Sequence, residues 1–181
     1  MVVVTADHGE EFQEHGKLKH GMQLYEESVR VPLVIAGPGV AAGRTGAQTQ
    51  SVDVFPTVAA MLGAPAPAGL PGRDALAPDD AARPAFLEAR AAPGDGGPPV
   101  SRLAVRVPGW KLVRDPVTGH TALFDLAHDP GEHEDVGAGA PEAARLGALL
   151  DDWLAHAPPP PHPEARDPAL DRKLRALGYT D

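Results

Sequence analysis

Apolar residues follow two kinds of pattern in the first third of the 181-residue chain. Two segments, a continuous β-branched run at 2–6 and a largely apolar segment at 29–36, predict strands, and the first has the composition of a strand buried on both faces of a parallel sheet. At 52–62, apolar side chains recur at helical spacing, with Ser51 as the candidate N-cap and Gly63 as the stop. This order of strand, strand and helix predicts part of an α/β layer.

A different pattern follows residue 84. Short apolar segments separated by turn residues predict four strands, at 85–89, 103–107, 110–114 and 121–126. One helix face is then marked by five apolar residues, Leu146, Leu149, Leu150, Trp153 and Leu154. Because short strands that are close in sequence pair antiparallel, this region predicts a small antiparallel sheet covered by a C-terminal helix.

These patterns divide the chain into three parts. Residues 1–84 form the part of the α/β layer, 85–156 form the small sheet with its helix, and 157–181 form a Pro-rich spacer and a short C-terminal helix. The first strand begins directly after Met1 without any lead-in. We therefore expect the chain to be a piece of a larger domain.

Composition narrows the possible functions. The formal charge of −9 and the scattered Lys and Arg residues argue against a nucleic-acid partner, because phosphate binding needs clustered cations. The absence of Cys excludes a disulfide framework, Cys-ligated zinc and a Cys nucleophile within these residues. No apolar run approaches the roughly 18 residues of a membrane span, and no signal-peptide pattern is visible, so localisation stays open.

Candidate chemistry begins where the first strand ends. Asp7 and His8 follow that strand directly, and open α/β sheets bind ligands at the carboxyl ends of their strands. Carboxylate and imidazole are both metal ligands at neutral pH, and Gly9 permits the bend that brings neighbouring side chains together. The two residues are therefore predicted to be metal ligands. The alternative is that Asp7 caps the next turn and His8 is simply a partly buried histidine.

His20 is the next candidate. An imidazole that faces the same cleft can donate a hydrogen bond to a substrate oxygen or protonate a leaving group. His15 is interpreted either as a residue that supports the site or as a solvated loop histidine. Arg30 can bind an anionic substrate, or it can tie the loop to Glu26 or Glu27 as a structural ion pair.

The remaining polar candidates are interpreted as residues without a catalytic role. Asp53 lies in the first turn of a predicted helix, where its charge suits the helix dipole, and it is assigned no part in catalysis. The later histidines lie in turns or Pro-rich stretches without metal-ligand spacing. We expect all of them to be solvent-exposed: His120, His128, His133, His156 and His162.

Several short motifs occur in an order that resembles the C-terminal half of a sulfatase of the alkaline phosphatase superfamily. The first are Thr5-Ala6-Asp7-His8-Gly9-Glu10-Glu11, Leu24-Tyr25-Glu26-Glu27 with Arg30-Val31-Pro32-Leu33, and Ser51-Val52-Asp53-Val54-Phe55-Pro56-Thr57. Later ones are Trp110-Lys111-Leu112, Leu123-Phe124-Asp125-Leu126, Asp129-Pro130-Gly131-Glu132 and Leu174-Arg175-Ala176-Leu177-Gly178-Tyr179. The resemblance implies an α/β fold: part of an alkaline-phosphatase-like mixed sheet with helices over 1–84, followed by a small antiparallel sheet packed on a C-terminal helix.

The resemblance also implies a chemistry. Sulfatases hydrolyse sulfuric esters with a formylglycine nucleophile beside one divalent metal ion, usually calcium, with manganese, magnesium or zinc as alternatives. Asp7 and His8 match the later pair of the family's metal ligands. His20 matches a catalytic and substrate-binding position, and Lys19 competes with it for the sulfate group of the substrate. The implied substrate is a small anionic sulfate ester.

Two elements of the family pattern do not occur in these residues. The chain contains no Cys-x-Pro-x-Arg or Ser-x-Pro-x-Arg nucleophile element, and the early acidic pair of metal ligands is also missing. We therefore expect a sulfatase fragment that is inactive alone and that a missing N-terminal half would complete. The alternatives are a phosphoryl-transfer relative, such as a phosphoethanolamine transferase or phosphodiesterase, and a non-catalytic remnant.

Overall fold

The structure of the protein is a computed structural model, which describes residues 1–20, 23–77, 83–91 and 100–157. Within these ranges the chain forms eight β-strands and three α-helices. None of the described helices has both the length and the apolar character needed to cross a membrane. Apart from Ala157, the predicted Pro-rich spacer and C-terminal helix lie outside the described residues.

The first predicted strand is present, but its surroundings differ from the prediction. Strand β1 (Val2–Thr5) pairs antiparallel with β4 (Leu33–Ala36), and Val4 lies opposite Val34. The expectation of a parallel strand buried on both faces is wrong for this pair, because Val2 and Val4 are 58% and 52% exposed. Among the described residues β1 pairs only with β4, so an apolar run suited to a sheet interior lies at a surface.

The segment between β1 and β4 carries the candidate site residues. Within it, β2 (Glu11–Phe12) and β3 (Leu18–Lys19) form a short antiparallel hairpin, and the single-turn helix α1 (Glu26–Val29) follows. The Gly9 N–H donates to the Ser28 carbonyl at 2.9 Å. This hydrogen bond holds the start of the segment against α1.

The predicted helix after the second strand is also present, with a different cap. It begins as a 3₁₀ turn at Ser51–Asp53 and continues as α2 (Val54–Met61). Gln50, and not Ser51, occupies the N-cap of the turn. The reason is that Asp53 Oδ2 accepts the Gln50 backbone N–H at 2.9 Å, as an acidic residue three positions after an N-cap commonly does.

Asp53 also accepts hydrogen bonds from residues outside this cap. Its side chain is buried, and its Oδ1 atom accepts the Arg73 backbone N–H at 2.9 Å and an Arg83 guanidinium N–H at 2.8 Å. The carboxylate therefore ties the start of the helix to the connection that follows it. These contacts agree with the structural role predicted from the sequence.

The predicted small antiparallel sheet is present after residue 84. Its strands are adjacent in sequence and in space: β5 (Ala85–Ala91), β6 (Val100–Val107), β7 (Trp110–Arg114) and β8 (Thr121–Asp125). Helix α3 (Pro141–His156) covers one face of this sheet. The core between them includes Leu123, Leu146 and Leu150, each 0% exposed.

The other face of the same sheet packs against the site-bearing segment. Leu24, two residues before α1, forms a buried apolar cluster with Ala89 and Ala104. Val29, at the end of α1, packs on the same cluster. The antiparallel sheet therefore has α3 on one side and the α1 segment on the other.

Candidate functional site

Asp7 and His8 lie side by side just beyond β1. The Asp7 Oδ2 atom is 3.8 Å from His8 Nε2, and the Asp7 side chain is 90% exposed. The other carboxylate oxygen accepts the His8 backbone N–H at 3.0 Å. The carboxylate therefore caps the turn and at the same time faces the imidazole, so the two interpretations of this pair are compatible in one geometry.

The hydrogen bond of the His8 ring fixes which nitrogen carries the proton. His8 Nδ1 lies 2.7 Å from the Gly9 carbonyl oxygen. Because a carbonyl can only accept, this contact requires a proton on Nδ1, which in the neutral ring leaves the lone pair on Nε2. Histidines that bind metals commonly donate their other ring N–H to a backbone carbonyl. The ring is thus oriented as a metal ligand would be, with Nε2 towards Asp7.

His20 lies against the His8 ring. The two ring centroids are 3.9 Å apart with an interplanar angle of 25°. His20 Nδ1 is 3.2 Å from the Glu10 carboxylate, which holds the second ring in place. Asp7, His8 and His20 are therefore grouped at one edge of the fold, and Glu10 joins them as a residue to which the sequence assigned no role.

Lys19 is the remaining predicted substrate-binding residue. Its backbone pairs with Glu11 in the β2–β3 hairpin, next to His20 in sequence. Its side chain lies outside the described part of the structure. Its contact with a sulfate group stays a prediction.

The donors present fit part of a cation site. Calcium binds about six to eight oxygen ligands, and Asp7 with His8 supplies one carboxylate and one imidazole. In the part of the chain that the structure describes, no three His, Asp or Glu side chains are grouped so that they could hold a metal ion. The pair is therefore suited to a site whose other ligands come from outside the described residues.

Gly9 has a steric role beside the pair. A Cβ atom at this position would lie 1.9 Å from the Glu27 carbonyl oxygen in α1. Glycine is the residue that allows a backbone approach this close. The hydrogen bond from Gly9 to Ser28 depends on this contact, so glycine here does more than permit the predicted bend.

His15 is enclosed, so its interpretation as a solvated loop histidine is wrong. The side chain is 12% exposed, and its ring stacks on Tyr25 at 3.6 Å. His15 Nδ1 is 2.6 Å from Glu27 Oε1, and Nε2 is 3.2 Å from the Glu132 carbonyl oxygen. Because both partners are acceptors, the ring must carry two protons to donate to both, and the described contacts are those of an imidazolium.

The electrostatics of His15 agree with this assignment. Burial alone would lower the pKa of His15. The hydrogen bonds to the Glu27 carboxylate and the Glu132 carbonyl outweigh burial, so the pKa lies above its ordinary value of 6.5. Folding therefore favours the charged form of His15 relative to an ordinary solvent-exposed histidine.

The predicted ion pair of Arg30 with Glu26 or Glu27 is not formed in the described structure. The Arg30 side chain is exposed. Glu26 instead pairs with Arg106 at 3.0 Å and with Lys111 at 3.1 Å, and Glu27 pairs with the buried histidine described above. Both glutamates point towards the interior, where those cations satisfy them.

A buried ion cluster joins α1 to the antiparallel sheet. Lys111, on β7, is 0% exposed, and its Nζ atom lies 2.8 Å from the Leu24 carbonyl oxygen, 3.1 Å from Glu26 Oε1 and 2.6 Å from Glu132 Oε1. Glu132 Oε2 accepts the Glu26 backbone N–H at 2.6 Å. Sequence reasoning missed this cluster, although a lysine at an inward-facing position between Trp110 and Leu112 was a possible signal.

Burial acts on both carboxyl groups of this cluster, with different results. It disfavours ionisation of Glu26, but Arg106 and Lys111 together outweigh it and hold the pKa of Glu26 below its ordinary value. At Glu132, burial raises the pKa above its ordinary value, and Lys111 offsets only part of this effect. Glu132 is thus the more costly of the two charges to keep in the interior.

The later histidines agree with the prediction where the structure describes them. His120, His128, His133 and His156 are exposed. His162 lies outside the described residues. None of the four described histidines belongs to a group that could hold a metal ion.

Comparison with known proteins connects this site to a family. The family model for sulfatases matches residues 1–64, which include Asp7, His8 and His20. Arylsulfatase K of Bos taurus is 30% identical over 156 residues, which are 78% of this chain and 28% of that protein. A putative sulfatase from Bacteroides thetaiotaomicron VPI-5482 is a similar solved structure, with a TM-score of 0.69 and 23% identity over 85% of this chain and 36% of that one.

A further similar solved structure is of a protein that is not named as a sulfatase. The phosphonate monoester hydrolase SpPMH from Silicibacter pomeroyi has a TM-score of 0.67 and 29% identity, over 85% of this chain and 34% of that chain. The chain spans less than a third of the length of the curated relative it matches. The structural likeness confirms the predicted fold class, an alkaline-phosphatase-like α/β fold with a small antiparallel sheet and helix. With the family match over 1–64 and the similarity to arylsulfatase K, it shows that this chain belongs to the sulfatase family.

Proposed function

We propose that this chain is the C-terminal part of a sulfuric ester hydrolase. In this proposal Asp7 and His8 are ligands of a divalent cation, and His20 is the catalytic and substrate-binding residue that contacts the sulfate ester. The main support is the ring of His8, whose Nδ1 is engaged by the Gly9 carbonyl while Nε2 faces the exposed Asp7 carboxylate. A histidine and a carboxylate arranged in this way suit cation binding.

The proposed cation is calcium, with manganese, magnesium or zinc as alternatives. Such a cation, when bound, would supply positive charge to the oxygens of the sulfate group. Asp7 would contribute a hard anionic oxygen, and His8 the neutral imidazole nitrogen that its hydrogen bond to Gly9 leaves available.

His20 has the features needed to act on the substrate. Its ring is held by Glu10 at Nδ1 and by stacking on His8, so the imidazole is fixed before a substrate arrives. From that position it can donate a hydrogen bond to a sulfate oxygen or a proton to the leaving-group oxygen. Lys19 is the second candidate for the sulfate contact, and a small anionic sulfate ester is the substrate that these groups suit.

We infer that residues 1–181 do not turn over substrate alone and that an N-terminal half supplies the nucleophile and the remaining ligands. The sequence contains no nucleophile element of the family, since Cys is absent and no Ser-x-Pro-x-Arg occurs. The exposed apolar side chains of β1 and β4 also favour a missing part, because Val2, Val4 and Val34 are each more than half exposed. Apolar surface of this kind is normally covered.

Cation binding gives the first test. We expect the purified chain to bind Ca²⁺ or Mn²⁺ weakly, with a dissociation constant of about 0.1–1 mM, because only part of the ligand set is present. Asp7→Asn should abolish this binding. Asp152→Asn is the matched control, since Asp152 is an exposed carboxylate on α3. Equal binding by wild type and Asp7→Asn would contradict the role of Asp7.

Turnover gives the second test. The purified chain should not hydrolyse an aryl sulfate with any divalent cation, because covalent sulfate-ester hydrolysis needs a nucleophile that residues 1–181 lack. Measurable, metal-dependent turnover that disappears in Asp7→Ala would show that the chain carries a complete active site and that the inactive-fragment proposal is wrong.

The likeness to SpPMH supports a second candidate, a phosphoryl-transfer relative of the same superfamily. The coding sequence immediately upstream of Met1 separates the two. An in-frame Cys-x-Pro-x-Arg or Ser-x-Pro-x-Arg element supports the sulfatase, and a different Thr or Ser nucleophile supports the phosphoryl-transfer enzyme. If no such element precedes Met1 and the chain binds no cation, a non-catalytic remnant is the better description.

A further inference from the structure

Besides Lys111 and Arg106 in the antiparallel sheet, the side chain of Glu132, in the connection after β8, also contacts α1. The backbone of Glu132 is left-handed, with φ at 57°, a conformation that residues with a Cβ rarely adopt. Its side chain is buried and makes contacts on both sides: Oε1 pairs with Lys111, and Oε2 accepts the backbone N–H of Glu26. Strained backbone of this kind persists where the surrounding contacts require it.

Glu132 is connected to His8 by a short series of contacts. Its Oε2 atom binds the N–H of Glu26, which is the first residue of α1. Two residues later, the Ser28 carbonyl accepts the Gly9 N–H at 2.9 Å. The Gly9 carbonyl in turn accepts a hydrogen bond from the His8 Nδ1–H group. Each step is a hydrogen bond or a single turn of helix.

A second connection runs through His15. Its Nε2 atom contacts the Glu132 carbonyl, and its Nδ1 atom contacts Glu27 in α1. Glu132 therefore contacts α1 with its side chain, and with its backbone carbonyl it contacts His15 of the β2–β3 hairpin. The end of that hairpin leads into His20.

From these contacts we propose that Glu132, held by Lys111, is a positioning residue that sets the orientation of His8 and His20 through α1 and the β2–β3 hairpin. This inference rests on the proposed function, since it concerns the residues assigned there to the cation and the substrate. Glu132 itself touches neither. Its effect on them is through the Glu26, Ser28 and Gly9 contacts and through His15.

Imidazole NMR at fixed pH tests the proposal without turnover. In the ¹⁵N-labelled full chain, the shifts of His8 should report a proton on Nδ1. We expect Glu132→Gln to replace this signature with a tautomer average, while the methyl signals of Leu123 and Leu150, on the α3 side of the sheet, stay at their wild-type positions. A general loss of structure would move both sets of signals together.

The matched control is Glu134→Gln. Glu134 is an exposed carboxylate two residues away, and its substitution should leave the His8 and His20 signals unchanged. If Glu132→Gln fails to fold, His15→Gln removes the second connection with less buried charge at stake, and it should perturb His20. Wild-type shifts of His8 and His20 in every folded variant would overturn the proposal.

Cation binding separates this inference from the proposed function. If the wild type binds Mn²⁺, we expect Glu132→Gln to weaken that binding at least about tenfold, the usual effect of removing a group that orients a ligand. Unchanged affinity in a folded Glu132→Gln protein would overturn the positioning role. If neither wild type nor Asp7→Asn binds Mn²⁺, the proposed cation site fails, and the imidazole shifts alone decide whether Glu132 orients His8.

Discussion

The two regions on either side of residues 78–82 bury their apolar residues to very different extents. In the first region, Val4 and Phe55 are 52% and 57% exposed. In the second, Leu123 and Leu146 are both 0% exposed. The difference does not follow from how apolar the segments are, since both regions contain strong apolar runs. It follows from which partners each run has among the described residues.

Within the second region, the four strands pair antiparallel with one another, and α3 covers one face of the sheet. In the first region, β1, β4 and α2 leave large apolar side chains exposed among the described residues, including Val4, Val34 and Phe55. Its site-bearing segment contacts the second region through the buried ions around Lys111 and through the apolar cluster of Leu24, Ala89 and Ala104.

The largest expected effect follows from removing Lys111. Lys111→Met leaves the Glu132 and Glu26 carboxylates buried with less compensating charge, and should lower the free energy of unfolding by roughly 3–5 kcal/mol. Urea denaturation measures this change in the free energy of unfolding. Arg114→Met is the control on the same strand, because its ion pair with Asp151 is partly exposed and should cost only about 0–1 kcal/mol. Similar losses in both variants would show that the buried cluster does not connect the regions.

The next effect compares two leucines directly. Leu150→Ala in α3 empties a fully buried site and should cost roughly 2–5 kcal/mol. Leu62→Ala, just after α2, removes a side chain that is 66% exposed and should change stability by about 0.5 kcal/mol or less. If the two losses measured by thermal unfolding are equal, the first region buries Leu62 against something that the described residues do not include.

The same contrast explains which parts of the fold the sequence predicts. The β7–β8 hairpin is predictable because its turn residues lie between the two strands, so the pattern and its cause are adjacent in the chain. The prediction for β1 is wrong, because an apolar run indicates a strand but not which strand lies beside it or in which direction. The N-cap at Gln50 differs from the predicted one for a related reason. Ser51 is a favoured N-cap by residue type, but the hydrogen bond from the Gln50 N–H to the Asp53 carboxylate determines the position.

The candidate site is likewise predictable only where its residues are close in sequence. Asp7 and His8 are adjacent in sequence and follow a strand, so their proximity can be expected, and Gly9 signals the turn beside them. The support of the site comes from Lys111 and Glu132, which contact the Leu24 carbonyl and the Glu26 amide across 87 and 106 residues of chain. No local pattern indicates contacts at that separation. Motif resemblance marked these residues, but it gave no physical role to them.

A smaller effect tests the charged state of His15. The raised pKa of His15 means that its stabilising contribution is fully present below pH 6.5, the ordinary value, and is lost as the pH rises through the folded-state value. His15→Gln should therefore cost about 1.5–3 kcal/mol at about pH 6, where charge-assisted hydrogen bonds are formed, and less at about pH 8.5. Chemical denaturation of both proteins across this range measures the difference. A cost that stays constant or grows with pH would contradict the imidazolium assignment.

The smallest expected effect on stability concerns the exposed face of β1 and β4. Val34 lies opposite Val4 and is 56% exposed, so Val34→Thr removes little buried area and keeps a β-branched side chain in the strand. The free energy of unfolding should change by about 0.5 kcal/mol or less. The same substitution should lower the binding of a hydrophobic dye such as ANS, because it interrupts an apolar patch that the folded chain presents to solvent. Val105→Thr, at a 0% exposed position in β6, is the opposite case, and it should cost stability because a hydroxyl enters the core. If Val34→Thr destabilises the protein as much as Val105→Thr does, then β1 and β4 are covered in solution, and the contrast between the two regions is smaller than the exposures of Val4 and Val34 indicate.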